Sequence, residues 1–513
     1  MAENFTNLMG GIATAMKFGN FMVAIVGLAL GIIVGVLPGL GGANGVAILI
    51  PLTVAMDPIA GIILLASIYW GALYGGGITA ILFNIPGEPW SVAVTFDGYP
   101  LANKGEPGLA LVLSFFSHAV GAIIGVVLLS FFAPIIAAFA LKFGPAEVFG
   151  VMMLTFSAFV GLGGKDAIKS CLAIFLGFLL ASVGMDTVTG QMRMTFGSID
   201  LMAGFDFIIA VIGLFGLGEI LLTVEEGLKI EGRGGKISMN DVTRGFKIVC
   251  QEWRALLLGV GIGAWMGLKP GGATPASFMA YGFAKQGSSK KEEFGKGSYA
   301  GIIAPESATH SAGTSAALPM ITLGIPGSPT MAVIMGGLMI FGLVPGPMLF
   351  KEHADFVWAF IGSCWIGNIL GLFVVLFFAP FFAAILRVRF AIIMPIIIYV
   401  CSIGAYAVNN RMIDIYYMII FGVFGYLFKK LDYPIAPMVL ALVLGGMAEA
   451  ALRQSLLMSN GNPMVLIGLS TTDAGNLYLK SWLAGPLMLA AGIIFFWPTI
   501  SDFREKRKKA KAA

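Results

Sequence analysis

Charge is the scarce commodity in this chain. Only 11% of its 513 residues are charged, against about 25% in an ordinary globular protein. So few charges cannot cover the surface of a soluble fold of this length. That excludes a soluble enzyme and a disordered chain. The balance of 31 basic and 27 acidic residues leaves a net charge of +4, too little to call for a polyanionic partner, so no nucleic acid is expected. Cysteine is also rare. Cys171, Cys250, Cys364 and Cys401 are far apart, and their spacing matches neither a disulfide framework nor a zinc site. His118, His310 and His353 show no paired-ligand spacing, so no metal is expected. The N-terminus has no basic segment followed by a small-residue cleavage site, and no secretory leader is expected.

Hydrophobic residues make up 58% of the chain. A helix needs about 20 apolar residues to span a bilayer. Runs of that kind lie near 20–55, 59–84, 109–141, 146–162, 168–185 and 203–223. They resume near 255–282, 298–325, 331–350, 354–386, 390–408, 414–428, 435–452 and 482–500. The pattern predicts an all-α polytopic membrane protein with roughly 12 spans. The 70 glycines and 24 prolines predict that several of those helices are broken.

The polar stretch from Glu225 to Arg254 carries Lys229, Arg233, Lys236, Arg244 and Lys247, and the tail from Arg504 to Lys511 is more basic still. Short basic segments stay on the cytoplasmic side of a membrane, so both are expected there. The division expected is a first transmembrane repeat over 1–224, a linker over 225–254, a second repeat over 255–503 and a tail over 504–513.

The repeat is visible in four matches that keep their order. Gly27-x3-Gly31-x3-Gly35-x2-Pro38-Gly39 pairs with Gly259-x3-Gly263-x3-Gly267-x2-Pro270-Gly271. Ile85-Pro-Gly-Glu-Pro89 pairs with Ile325-Pro-Gly-Ser-Pro329. Ser117-x3-Gly121-x3-Gly125 pairs with Ser363-x3-Gly367-x3-Gly371, and Phe131-Phe-Ala-Pro134 with Phe377-Phe-Ala-Pro380. Duplicated membrane folds with matching broken helices are typical of secondary transporters, whose substrate sits between the repeats against exposed helix ends. Inverted repeats and an elevator-type carrier are the expected form; a parallel repeat is the alternative.

The breaks nominate the site. The first tip supplies Pro38, Gly39, Gly41, Gly42 and Asn44; its counterpart supplies Gly271 and Thr274. Proline removes a helix donor and glycine permits turns, and the helix ends so freed attract anions. The second pair of breaks supplies Asn84, Pro86, Gly87 and Ser91, matched by Pro326, Gly327, Ser328 and Thr330. Tyr74, Ser307, His310 and Ser311 lie upstream as further substrate ligands. Thr79, Glu306 and Thr314 are candidates for the coupling ion, sodium or a proton, because charged and hydroxyl groups inside spans are functional candidates. Glu306 and His310 are one helical turn apart. No catalytic residue is expected: Gly216-Leu-Gly-Glu219 and Gly313-Thr-Ser-Ala316 are poor matches to intramembrane protease motifs.

The same residues carry a family resemblance. Gly35-Val-Leu-Pro-Gly-Leu-Gly-Gly42, Tyr74-Gly-Gly-Gly-Ile-Thr-Ala-Ile-Leu-Phe-Asn-Ile-Pro-Gly87 and Asp97-Gly-Tyr-Pro-Leu-Ala-x-x-Gly105 resemble the large membrane subunit of the tripartite tricarboxylate transporters. So do Gly301-Ile-Ile-Ala-Pro-Glu-Ser307, Pro319-x-x-Thr-Leu-Gly-Ile-Pro-Gly327 and Leu343-x-Pro-Gly-Pro347. The resemblance covers nearly the whole chain. It implies a carrier of the bacterial inner membrane, driven by a cation gradient. Its partners would be a small four-span membrane subunit and a periplasmic solute-binding protein. Its substrates would be citrate, other di- or tricarboxylates, or aromatic acids. The chain departs from the pattern at Gly271-Gly-Ala-Thr-Pro275, and at Glu88 and Trp90, which put charge and bulk where small residues are expected. An anion channel, or a scaffold subunit that transports nothing, is the competing expectation. A channel would need rings of like charge, and the sequence shows Gly/Pro breaks instead.

Overall fold

Glycine spacing sets the first packing event. In the computed structural model, Phe18–Val36 forms a helix that lies against a second, Pro58–Phe83. A Cβ on Gly31 would fall 2.1 Å from the carbonyl oxygen of Ile68. Only a residue without a side chain lets the two backbones approach so closely, the small-residue packing favoured in membranes. The second half repeats the arrangement: a Cβ on Gly263 would fall 2.3 Å from the carbonyl oxygen of Ala308.

The structure describes residues 2–37, 40–162, 167–186, 190–226, 237–269, 272–385, 390–471, 477–479 and 481–496. The first half holds α1 (Ala2–Ala15), α2 (Phe18–Val36), α3 (Gly41–Leu49), α4 (Pro58–Phe83), α5 (Val92–Asn103) and α6 (Pro107–Ala140). It continues through α7 (Pro145–Leu162), α8 (Ala167–Ala181), α9 (Phe207–Val211) and α10 (Gly218–Glu226). A π-helical turn, Ile212–Leu217, joins the last two. The second half holds α11 (Met239–Gln251), α12 (Trp253–Gly267), α13 (Ala273–Gly287), α14 (Tyr299–Ser315), α15 (Ala317–Leu323), α16 (Pro329–Ile340), α17 (Pro347–Glu352) and α18 (Ala354–Ile385). It continues with α19 (Phe390–Asn409), α20 (Met412–Lys430) and α21 (Ile435–Met458), and a last apolar helix, Ala484–Phe496 (α22), follows. Sheet is confined, among the described residues, to two small antiparallel pairs. Gly184–Met185 (β1) pairs with Met192–Arg193 (β2), and Leu469–Thr471 (β3) with Leu477–Leu479 (β4).

The chain is an all-α polytopic membrane protein. Among the described residues, 7 helices are long and apolar enough to cross a bilayer, and shorter apolar helices accompany them. The overlong sequence runs resolve into pairs: 20–55 holds α2 and α3, and 298–325 holds α14 and α15.

Contacts divide the chain into two compact units, 1–137 with 211–426 and 138–210 with 427–513. Each takes segments from both sides of the central linker, so unit and sequence repeat are different divisions. In the first unit, α2 packs on α4 as α12 packs on α14. The helix before each Ile-Pro-Gly turn ends in the left-handed region, at Asn84 (φ 58°) and at Gly324 (φ 70°). These two residues occupy the same place in the repeat, and both residue types tolerate that conformation.

Asp97 ties α5 to the entry of α14. Its Oδ1 accepts the backbone N–H groups of Gly295, Gly297 and Ser298, each at 2.8 Å. A buried carboxylate holding three amides compensates the loss of water at both partners. In the second unit, α8 and α7 pack on α21. Arg193 and Arg453 there share Glu449, at 2.8 and 2.6 Å, and Arg453 also holds Asp186 at 2.9 Å.

Candidate functional site

The first unit gathers polar groups at two places. The first is the N-terminal end of α3. Its helix begins at Gly41, whose φ of 62° requires glycine or a residue with similar freedom. The buried Glu88 lies in the turn after α4 and reaches back to this end, where its Oε1 accepts the backbone N–H of Gly42. Both carboxylate oxygens would lie 3.0 Å from a Cβ on Gly41, and Thr330 Oγ1 3.6 Å from a Cβ on Gly42. Thr330 belongs to α16, which packs on α3, so the second half of the chain completes a feature begun by the first. The early amides of a helix have no partner within it and carry partial positive charge. A carboxylate is the group that satisfies both. Nearby, the buried hydroxyl of Tyr69 lies beside Ser328 and Gly313.

The second place is deeper. Tyr74 of α4, His118 of α6 and His310 of α14 are all fully buried. The His118 and His310 ring centroids are 4.0 Å apart, and the Tyr74 ring is 4.4 Å from His310 and 5.2 Å from His118. Nε2 of His118 meets Oε2 of Glu306. Tyr74 donates its hydroxyl to the carbonyl of Asn368 on α18 at 3.3 Å. Gly77 leaves the room for this cluster: a Cβ there would lie 3.1 Å from Ser114 Oγ and 3.2 Å from Glu306 Oε1.

The sequence candidates fall unevenly over these places. Gly41, Gly42 and Thr330 meet at the α3 end, and Tyr74, Glu306 and His310 meet in the deep cluster. Glu306 and His310, expected to face one another, are both turned to His118. Ser91 Oγ would touch a Cβ on Gly76, beside the path of the Glu88 side chain. Ser328 accepts the N–H of Met331 at 3.1 Å and starts α16. Asn44 donates to Glu219 at 3.4 Å.

Other candidates bond elsewhere. The hydroxyls of Ser307 and Ser311 donate to the carbonyls of Leu256 and Val260 on α12. Thr79 donates to the carbonyl of Gly76 in its own helix, as buried hydroxyls often do. Thr314 accepts the indole N–H of Trp70 at 3.4 Å. A Cβ on Gly87 would fall 2.1 Å from the carbonyl oxygen of Gly35, and one on Gly327 would fall 2.8 Å from that of Gly267. The crowding comes from backbone at Gly87 and from Ala316 together with backbone at Gly327. Asn84 is exposed, Pro86 and Thr274 are half-buried and Pro326 is buried. Pro38, Gly39 and Gly271 lie outside the described residues.

Sequence reasoning missed Glu88 and His118. Glu88 showed itself only as a departure from a motif. His118 follows Ser117 inside a stripe that reads as helix packing, yet an ionisable residue in an apolar run was signal enough. In the second unit a cavity of about 470 Å³, with Phe149, Met153, Phe178 and Arg193 among its lining, includes none of the sequence candidates.

Residues 21–440 match the tripartite tricarboxylate transporter TctA family. The chain belongs to that family. It is 34% identical over 517 residues to the "uncharacterized 52.8 kDa protein in TAR-I ttuC' 3'region" of Agrobacterium vitis, covering 99% of each chain. A protein from the TAR-II ttuC' 3'region of the same organism is 35% identical over 206 residues, covering 40% of this chain and 85% of its own. No solved structure matches. Membership points to a transporter rather than an enzyme, and the bilayer-length helices accord with a multi-pass membrane location.

Proposed function

We propose that this TctA-family chain carries carboxylates, di- or tricarboxylates such as citrate or an aromatic acid, across the bacterial inner membrane by secondary active uptake. A periplasmic binding protein delivers the substrate, a small four-span membrane subunit completes the carrier, and a cation gradient drives it. The basic linker and tail face the cytoplasm. The two sequence repeats work in inverted orientation as an elevator.

One observation carries the substrate class: a carboxylate already sits on the amide end of α3. Glu88 meets the geometric and electrostatic demands that a substrate carboxylate would meet there. Substrate arrival then displaces Glu88, and Thr330 and Ser328 are the neutral hydroxyls positioned to take part. Exchanging one carboxylate for another costs little, because the amides never go unpaired.

The test is uptake of labelled citrate into vesicles that hold this chain and the small subunit, with the binding protein outside. Saturable uptake that needs the binding protein, and whose KM rises in Thr330→Val, is the expected result. Uptake of citrate by none of these vesicles, or a linear unsaturable conductance, refutes the reading.

A further inference from the structure

The deep cluster has no part in the carboxylate seat, and its chemistry differs. We propose that the contact between Glu306 and His118, with His310 stacked beside it, is where this chain binds and releases the proton that couples to transport. The proposal rests on the reading of the chain as a cation-coupled carrier.

The argument begins with atoms. Glu306 Oε2 and His118 Nε2 touch. Two bare lone pairs repel, so the contact is favourable only with a proton between them. With that proton in place, and with the ordinary hydrogen on Nδ1, the pair is neutral overall. Removing it leaves a net negative charge in a site cut off from water, where an uncompensated charge is very costly. The pair therefore has a loaded state suited to burial and an unloaded state that must be opened to water or offset by other charge. An ionisable pair inside a membrane helix bundle is the ordinary material of a proton relay.

The surroundings supply further proton-accepting atoms. Both ring nitrogens of His310 are buried with no hydrogen-bond partner among the described residues, and one of them accepts in the neutral ring; Glu306 Oε1 lies beside Ser114. The ionisable groups that face the pair among the described residues can be named. From α4 it is Tyr74, held to the Asn368 carbonyl of α18. From α6 it is His118 itself, beside the hydroxyl of Ser114. From α14 they are Glu306 and His310. On the α12 side, α14 meets backbone carbonyls through Ser307 and Ser311. From α5 the nearest carboxylate is Asp97, committed to the amides before α14.

Sodium is the other candidate ion. Carriers bind it through carbonyl and other oxygen atoms at broken helices, whereas two imidazoles dominate this cluster. The step itself balances simply: a proton enters from one side, bridges Oε2 and Nε2, and leaves to the other side, with nothing oxidised or reduced.

The experiment has two arms. Infrared difference spectra of the purified full chain in lipid are recorded between mildly acidic and mildly alkaline pH. A carbonyl stretch of a protonated carboxyl is expected to titrate, to shift in heavy water, to vanish in Glu306→Gln and to move in His118→Gln. In vesicles with the small subunit and binding protein, and citrate as the probe, an inward proton gradient should drive accumulation by the wild type. Glu306→Gln should lose about tenfold or more of that accumulation, as expected for loss of a relay carboxyl. It should keep citrate exchange in the absence of a gradient, which a merely misfolded variant would not. Retained accumulation in Glu306→Gln, or an unchanged carbonyl band in that variant, overturns the proposal. So does accumulation driven by a sodium gradient and indifferent to pH. If the wild type moves no citrate while the Glu306 band titrates, the carboxylate reading fails and the proton site is supported by the infrared result.

Discussion

The carboxylate of Glu88 accepts the backbone N–H of Gly42, 46 residues before it in the chain. A turn that follows one helix thus closes the exposed amide end of another, and a carboxyl group occupies the place where an anionic substrate would have most to gain.

The first prediction follows from that bond. Glu88→Gln keeps the shape of the side chain and removes its charge. A charge-assisted hydrogen bond exceeds a neutral one by about 1 kcal/mol, so the side chain becomes easier to displace. The KM for citrate in reconstituted vesicles should fall by roughly fivefold. A KM that rises would mean that Glu88 assists substrate binding instead of yielding to it.

Gly87 and Gly327 occupy equivalent turns, each pressed against the carbonyl of the last seam glycine, Gly35 or Gly267. Alanine at either place forces the helix end away, and overpacking of this kind costs about 1–3 kcal/mol. Both variants should therefore be less abundant in the membrane and unfold at lower temperature, with Gly87→Ala the more severe because its clash is closer. Blotting and thermal unfolding in detergent measure this. Normal abundance with abolished transport would instead place these glycines at the ligand.

Asp97 should matter for stability beyond its size. Asp97→Asn keeps one acceptor for the three amides but loses the charge, and a loss of about 1–3 kcal/mol is expected. Asp97→Ala, which leaves three amides without a side-chain acceptor, should be worse. Unfolding midpoints of the two variants against the wild type test the order.

The orientation can be read with a native residue. Cys250 is exposed on α11, within the basic stretch between the repeats, whereas Cys364 and Cys401 are buried and Cys171 is half-buried. In a Cys171→Ser background, a membrane-impermeant thiol reagent should label Cys250 in inside-out vesicles and leave it unlabelled in intact spheroplasts. The reverse pattern would invert the topology drawn from the positive charges.

The sequence alone determined the class of this protein, because hydrophobic content and charge scarcity act over the whole chain and need no geometry. It also located the breaks. Proline and glycine act on their own backbone, so Asn84 and Gly324 could be matched by spacing before either was seen to be left-handed. The seam glycines were legible for the same reason: a spacing of four on a helix is a face. What only the tertiary structure decided was which polar groups meet. Ser307 and Ser311 lie among the candidates in sequence, yet the face they occupy bonds to α12. His118 and Glu306 are 188 residues apart, and no local pattern joins them. Their contact exists because α6 and α14 bring those faces together. Glu88 was visible only as an anomaly, since its meaning depends on where the amide end of α3 comes to lie. Backbone conformation is written in neighbours along the chain, whereas a buried site is written in helix faces, and those are settled by packing.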